Sequence, residues 1–295
     1  MIEFIKDVIR FRWQVVMLVV FFSIGSFIFA FITPNEFRAE VMLVPASDDS
    51  QSSRGLGQLG GLASLAGISA DSGNTKVGLA KELLNDWYFV DSFINENSIK
   101  ADILAAQGWD TATDELLYDN DLYDSNTKSW KTDGDKSLEP TDWSAFKKFR
   151  TMVVFEERKD SPVIMATLSY YSPDIAAIWL NSLIAAINKK IQNIDVEETQ
   201  LSIKYLEGKI EQTDLVELKD VFYELMQQQI KTLMLAEIRK EYVLKKVGPI
   251  KTPESKFKPK RMVVVILGTI LGLLLALMVI ATKPMLVDLR QKLST

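Results

Sequence analysis

The chain has 295 residues, of which 47% are hydrophobic and 25% charged, a balance typical of folded proteins and too apolar for disorder. Cysteine and histidine are both absent, which excludes a disulfide framework, a thiol nucleophile, a zinc–thiolate site and the most common general base near neutral pH. This composition disfavours most hydrolases and metalloenzymes, so we predict no catalytic, cofactor-binding or metal-binding residues.

Residues 13–32 form the first predicted element, an uncharged apolar run that ends just before Pro34. A helix of this length is about 30 Å long and spans the hydrocarbon layer of a bilayer. A cleaved signal peptide would have a shorter apolar part, so we expect the segment to be retained as an anchor. Lys6, Arg10 and Arg12 precede it and favour a cytoplasmic N-terminus, residues 1–12.

Residues 262–281 form a second uncharged apolar run and predict a second membrane span. Two spans return residues 282–295 to the cytoplasm and leave the middle of the chain outside. Basic residues before the second span oppose this topology, although long loops translocate largely regardless of charge. They are Lys251, Lys256, Lys258, Lys260 and Arg261.

The middle of the chain is acidic. The whole chain carries −5, residues 1–33 carry +1 and residues 261–295 carry +3, so residues 34–260 carry −9. Such a surface argues against a nucleic-acid partner, which requires basic residues, and it suits an exported, solvated domain.

Residues 33–171 are predicted to form an α/β base domain. Alternation over residues 37–44 indicates a strand ended by Pro45. Residues 47–78 are rich in glycine and serine and predict a mobile loop, or in part a short helix carrying Leu56, Leu59, Leu62, Leu65 and Ile68. Apolar steps of three and four over residues 76–99 indicate a helix that packs on the sheet.

The acidic residues 107–142 predict an irregular surface excursion with one short helical turn. Within it, residues 119–124 read DNDLYD, which lacks the spacing of a calcium loop and favours a solvated loop over a cation site. Residues 152–156 and 163–171 predict two strands of a hairpin, with Pro162 at the turn.

Residues 172–240 predict an extended, coiled helical arm. Ser172 as N-cap, Pro173 at the first helical position and Asp174 in the first turn mark the start of a helix that continues to residue 210. The polar residues 211–214 turn the chain, and Asp214 with Glu217 resembles a capping pair for a returning helix. We expect its apolar seam to pack within the arm and the exposed remainder to contact identical subunits. The seam comprises Leu215, Leu218, Phe222, Leu225, Met226, Leu233 and Ala236.

Residues 241–261 predict a return strand and a proline-rich basic linker. Pro249, Pro253 and Pro259 fix the backbone and are expected to exclude further helix or sheet before the membrane. The cluster Lys256, Lys258, Lys260 and Arg261 is expected to reach lipid phosphates, or alternatively the pyrophosphate of a lipid-linked sugar.

The second span contains a small-xxx-small face. Gly268 and Gly272 permit close approach of another helix, and the first span offers Gly25 and Ser26 as small partners. We therefore expect these glycines to make helix contacts within the membrane.

The predicted class is α+β: two transmembrane helices bracket an α/β base with a long projecting helical arm. The chain contains the strings SPDIAAIWLNSLI, TDLVELKDVFYEL and KTLMLA and a Pro-Lys-Arg entry into a Gly-containing span. Together with the order of elements, these strings resemble the Wzz family of polysaccharide co-polymerases. The resemblance covers nearly the whole chain and is strongest over residues 172–281.

That resemblance implies a non-enzymatic inner-membrane protein that regulates the length of lipopolysaccharide O-antigen or a related surface polysaccharide. It implies a periplasmic main domain, a ring-like homo-oligomer, and contacts with the polymerase and with the nascent polysaccharide or its lipid-linked intermediate. The nucleotide-binding domain that relatives with an attached kinase carry is not expected here. Two alternatives also agree with the two predicted membrane spans. One is a two-span sensor or adaptor with a periplasmic ligand-binding domain, and the other is a transmembrane partner of a separate exopolysaccharide tyrosine kinase.

Overall fold

A computed structural model describes residues 12–46, 72–158, 161 and 163–293. The helices are α1 (Arg12–Ile32), α2 (Ser72–Glu82), α3 (Trp87–Glu96), α4 (Lys100–Ala105), α5 (Asp142–Met152), α6 (Pro173–Gln212), α7 (Val216–Ile238) and α8 (Arg261–Leu293). The strands are β1 (Phe37–Pro45), β2 (Ala106–Asp110), β3 (Glu115–Tyr118), β4 (Tyr123–Asp124), β5 (Ser129–Trp130), β6 (Thr132–Asp133), β7 (Lys136–Ser137), β8 (Val153–Glu157), β9 (Ile164–Tyr170) and β10 (Leu244–Lys246). The chain divides into two units, one made of its two ends and the other of Arg38–Glu254.

The unit made of the two ends is a pair of packed helices, α1 and α8. Within them, Val15–Ile32 and Arg261–Val279 are long and apolar enough to cross a bilayer, with mean hydropathies of 2.8 and 2.9. Only 6% and 11% of these segments is buried, whereas an apolar helix inside a soluble domain is mostly buried. Their side chains face outward, as lipid-facing side chains do.

The Arg38–Glu254 unit is built on a four-stranded sheet in the order β10–β1–β9–β8. Strand β1 is antiparallel to β10, with Leu43 opposite Lys246, and β8 and β9 form the predicted antiparallel hairpin. In β1 every second residue, Ala39, Val41 and Leu43, is buried, which confirms the alternation predicted for this strand.

Helices α3, α5 and α6 supply most of the remaining core of this unit. The rings of Phe93 on α3 and Phe149 on α5 lie 5.5 Å apart, and Leu180 and Ile187 of α6 are fully buried. The start of α6 is as predicted: Ser172 Oγ accepts a hydrogen bond from the Ile175 N–H, and Pro173 is the first helical residue.

The helix predicted over residues 76–99 is interrupted, and this prediction was wrong. Helix α2 ends at Glu82, and α3 begins after Asp86, whose carboxylate accepts a hydrogen bond from the Tyr88 N–H. An aspartate at this position caps a new helix and so breaks an otherwise continuous apolar pattern. Helix α4 follows directly and was not predicted.

Residues 107–142 are more ordered than predicted, since β2–β3, β4–β5 and β6–β7 are three short antiparallel pairs. Helix α5 begins at Asp142 and was also missed; it buries Ala145, Phe146 and Phe149 at helical spacing. Of the predicted loop 47–78, residues 72–78 instead belong to α2. The short-helix alternative around Leu56 and the predicted turn at Pro162 lie outside the described residues.

The arm consists of α6, which is about 60 Å long at about 1.5 Å per residue, and α7, which packs on it. The predicted capping pair at its turn is wrong: the N-cap of α7 is Leu215, without a side-chain hydrogen bond. The predicted seam is only partly buried. Phe222 and Met226 are half-buried and Ala236 is buried, whereas Leu218 and Leu225 are exposed.

Candidate functional site

The paired helices α1 and α8 touch at the two glycines singled out by the sequence. A Cβ atom added to Gly268 would overlap Ser26 Oγ and lie 2.5 Å from Ser26 Cβ, and one added to Gly272 would lie 2.8 Å from Phe22 Cβ. Close helix approach is what small residues in apolar helices permit. Gly25, by contrast, has open space around it, so only Ser26 of the two expected small partners is at this contact.

Polar side chains reinforce the same pair. The Thr269 hydroxyl donates a hydrogen bond to the Val265 carbonyl (2.8 Å) and shares a second one with the Ser23 hydroxyl (3.3 Å). In apolar surroundings such bonds between helices add modest stability, on average about 0.6 kcal/mol each. The pair is therefore held by close packing together with one hydrogen bond between the helices.

The basic residues at the start of α8 make contacts with the end of α1 and the residues after it. The Arg261 guanidinium lies 4.5 Å from the centroid of the Phe31 ring and donates to Asn35 Oδ1 over 3.3 Å. Its Nε is buried without a hydrogen-bond partner among the described residues. Lys258 Nζ is 3.7 Å from the Glu36 carboxylate, and Lys260 is exposed. Their contact with lipid phosphate or with a lipid-linked pyrophosphate stays a prediction.

The segment between β10 and α8 contains Pro249, Pro253 and Pro259. We expected these prolines to exclude sheet pairing, and this prediction was wrong. Isolated antiparallel bridges join Glu40 to Lys251 and Glu36 to Lys258. Proline removes only its own N–H from pairing, so the residues on either side remain able to form such bridges.

The arm is fixed at its root by polar side chains of α6. Asn188 is 2% exposed and makes three hydrogen bonds: its Oδ1 accepts from the Val243 and Leu244 N–H groups at 2.8 Å, and its Nδ2 donates to the Leu244 carbonyl. One helical turn later, Gln192 Nε2 donates to the Ala236 and Arg239 carbonyls. These bonds tie the end of α7 and strand β10 to α6.

A second contact at the root joins three elements. Asp195 on α6 pairs with Lys76 on α2 at 2.9 Å and accepts a 2.6 Å hydrogen bond from Tyr242. Burial, with the hydrogen bond to Asp195, raises the pKa of Tyr242 to about 12. The phenol therefore stays protonated and remains a donor across the physiological range.

Beyond the root, α7 exposes large apolar side chains on both sides of its packed face. Phe222, Met226, Leu233 and Ala236 form the face that lies on α6. With 3.6 residues per turn, two further stripes flank this face. One stripe comprises Leu218, Val221 and Leu225, and the other comprises Tyr223, Ile230 and Met234; all six are 40–56% exposed.

Beside the small hairpins lies a half-buried acid, Asp102, that the sequence reasoning missed. Asp102 Oδ1 accepts a 2.7 Å hydrogen bond from the Tyr118 hydroxyl, and its carbonyl accepts one from Tyr170. Burial raises the pKa of Asp102. Asp102 lies in helix α4, which was not predicted, so the aromatic residues of the segment that follows are the only signal that the sequence offers.

The carboxylates of Asp119 and Asp124 accept hydrogen bonds from nearby residues. Asp119 accepts from the Gln107 amide and from the Asp121 N–H, and Asp124 accepts from the Asn126 N–H. Across the part of the chain that the structure describes, there is no group of three or more metal-ligating side chains. The described surface thus offers helix contacts and an apolar arm as its distinctive features.

Comparisons with known proteins find matches among solved structures only. No protein-family model and no curated protein matches the chain. Among solved structures, it is similar to a full-length bacterial polysaccharide co-polymerase, with 10% identity, 98% coverage of both chains and a TM-score of 0.39. It is also similar to a fragment of WzzB, a polysaccharide co-polymerase from Salmonella Typhimurium, with 14% identity, 76% coverage of this chain, 100% of that chain and a TM-score of 0.29. The described elements confirm the predicted α+β class with two terminal apolar helices.

Proposed function

We propose that the chain regulates the length of a bacterial surface polysaccharide, such as the O-antigen of lipopolysaccharide. It acts without catalysing a reaction, as a homo-oligomeric scaffold beside the polymerase in the inner membrane, with both termini cytoplasmic and the main domain periplasmic. The observation that carries the proposal is the arm, whose apolar side chains are exposed in a domain anchored by two apolar helices.

Identical copies are the partner that best fits the arm. Exposed apolar stripes of this extent mark protein contacts. Membrane anchoring confines all copies to one orientation and raises their effective concentration in the plane. Copies that share one orientation are related by an axis normal to the membrane, so one stripe of each arm meets the other stripe of its neighbour. A contact of this head-to-tail kind closes into a ring.

The mechanism follows from the fixed dimensions of such a ring. A polymer held on its surface, or a polymerase held beside it, experiences a constant geometry as the chain grows. Release then becomes favoured at a preferred length, and the protein needs no chemical step of its own.

The test is a polysaccharide ladder gel of a strain that lacks the gene, complemented with parent or variant. Leu225→Glu and Ile230→Glu place a charge in either stripe and should each reduce oligomer size and abolish the modal length. Lys231→Glu introduces an acidic side chain at an exposed position of α7 that lies on neither stripe and serves as the control. A deletion strain with the parental modal length would refute the proposal.

A further inference from the structure

A groove at the root of the arm is not used by the scaffold mechanism. Its walls are formed by α6 on one side and by the segment that follows α7 on the other. The lining residues are Ala46, Ile184, Ala185, Asn188, Arg239, Lys240, Glu241, Lys245 and Lys246. Its volume of about 700 Å³ lies within the range of small-molecule sites, which is about 300–1,000 Å³. The groove therefore has room for one or two sugar residues of a polymer.

The charge of the groove is opposite to that of its domain. Because the chain carries −5 and the residues outside Arg38–Glu254 carry +6, this unit carries −11. Yet the groove is lined by four cations, Arg239, Lys240, Lys245 and Lys246, and by one carboxylate, Glu241. A local excess of three positive charges in such a domain is not expected of a plain solvated surface.

Because of salt screening, the charges that line the groove dominate its attraction for an anionic ligand. The Debye length is about 8 Å at physiological ionic strength, so carboxylates farther than this from the groove are largely screened from a ligand in it. The only carboxylate of its lining, Glu241, lies 3.8 Å from Lys246 Nζ, which also donates to Asn181 Oδ1. Lys240 and Lys245 are exposed and extend from backbone that the Asn188 and Gln192 hydrogen bonds hold in place.

We infer that this groove binds an acidic saccharide, one whose carboxylates pair with Lys240 and Lys245. The inference rests on the proposed function, since the polymer under regulation is the saccharide that the arm would meet. Ammonium groups on long flexible stems suit a series of carboxylates at variable spacing along a polymer. The exposed Ala185 offers the carbon face of a sugar ring a small apolar contact.

The experiment is a binding titration of the full-length protein in detergent with tetragalacturonate, with neutral maltotetraose and with inorganic phosphate. The groove variant is Lys240→Glu with Lys245→Glu. The control is Lys204→Glu with Lys231→Glu, which changes the net charge equally at exposed positions on the arm. Circular dichroism verifies that both variants remain folded.

We expect tetragalacturonate to bind the parent and maltotetraose not to bind. The groove variant should bind at least about tenfold more weakly, since the reversal of two charges that contact the ligand changes two ion pairs into repulsions. The control should stay within about twofold. Binding should also weaken as salt concentration rises.

Several outcomes would overturn the inference: no tetragalacturonate binding, equal binding of maltotetraose, or equal loss in both variants. Displacement of the tetrasaccharide by an equal concentration of phosphate would identify a simple anion site and would overturn it as well. A ladder gel separates this question from the proposed function. A chain that binds the tetrasaccharide without affecting polysaccharide length would leave the groove assignment intact and refute the scaffold.

Discussion

The contact between the apolar helices gives the sharpest prediction. In Gly268→Ala, the new Cβ would lie 2.5 Å from Ser26 Cβ, whereas ordinary van der Waals contact begins at 3.4 Å. The helices must therefore separate locally by about 1 Å, and overpacking of this kind typically costs about 1–3 kcal/mol. Separation would also break the hydrogen bond of Thr269 to Ser23, which is worth about 0.6 kcal/mol in such surroundings.

Cysteine cross-linking measures this contact directly, because the chain contains no cysteine. The pair Ser23→Cys and Thr269→Cys replaces hydroxyl groups that lie 3.3 Å apart, so oxidation in membranes should give an internal disulfide. A loss of about 1–3 kcal/mol lowers the population of closed pairs relative to open ones by roughly 5- to 150-fold. Gly268→Ala should therefore slow cross-linking strongly.

Gly25→Ala is the matched control, because nothing lies within 4 Å of a Cβ added there. It should leave the cross-linking rate unchanged. Parental cross-linking of Gly268→Ala, or equal slowing by Gly25→Ala, would refute the packing argument.

Two further predictions concern the folded domain and are measured by thermal unfolding. Asn188→Ala should destabilise it by roughly 2–4 kcal/mol, because it leaves two N–H groups and a carbonyl without their buried partner, and a parental melting temperature would contradict this. Asp102→Asn should raise the melting temperature at pH 7 relative to the parent, and by less at pH 3. The raised pKa of Asp102 means that its protonated form favours the folded state at low pH, and that this advantage is lost as pH rises through the folded-state pKa. An equal shift at both pH values would contradict the assignment.

The parts of the fold that the sequence predicted are those where one local rule suffices. Ser172 and Pro173 mark a helix start because capping and the fixed φ of proline act within one turn. Strand β1 was predicted because one face is buried and the other is not, which leaves alternation in the sequence. The apolar helices follow from length and composition alone.

The parts that it missed depend on contacts between distant residues. The hairpins of residues 106–137 are only two to five residues per strand and carry too few residues for a periodic signal. Helix α5 has an apolar spacing of Ala145, Phe146 and Phe149, but two lysines lie between them and an arginine follows. The packing of Phe149 on Phe93 decides the outcome. The seam of α7 was misassigned at Leu218 and Leu225 because its apolar residues occupy three stripes, which a single-stripe interpretation merges.

Asn188 shows how the missed residues bear on function. It lies between Ile187 and Ile191 on the apolar stripe of α6, where a polar residue interrupts the helical spacing of apolar residues. Its amide instead completes the hydrogen bonding of β10, so the helix that starts the arm and the strand that follows it form one body with the sheet. A scaffold that sets a length needs such a joint, because a ring has defined dimensions only if each arm keeps its angle to its own base. The charged groove lies at this joint. A polymer bound there would therefore be held at a fixed position relative to both the arm and its base.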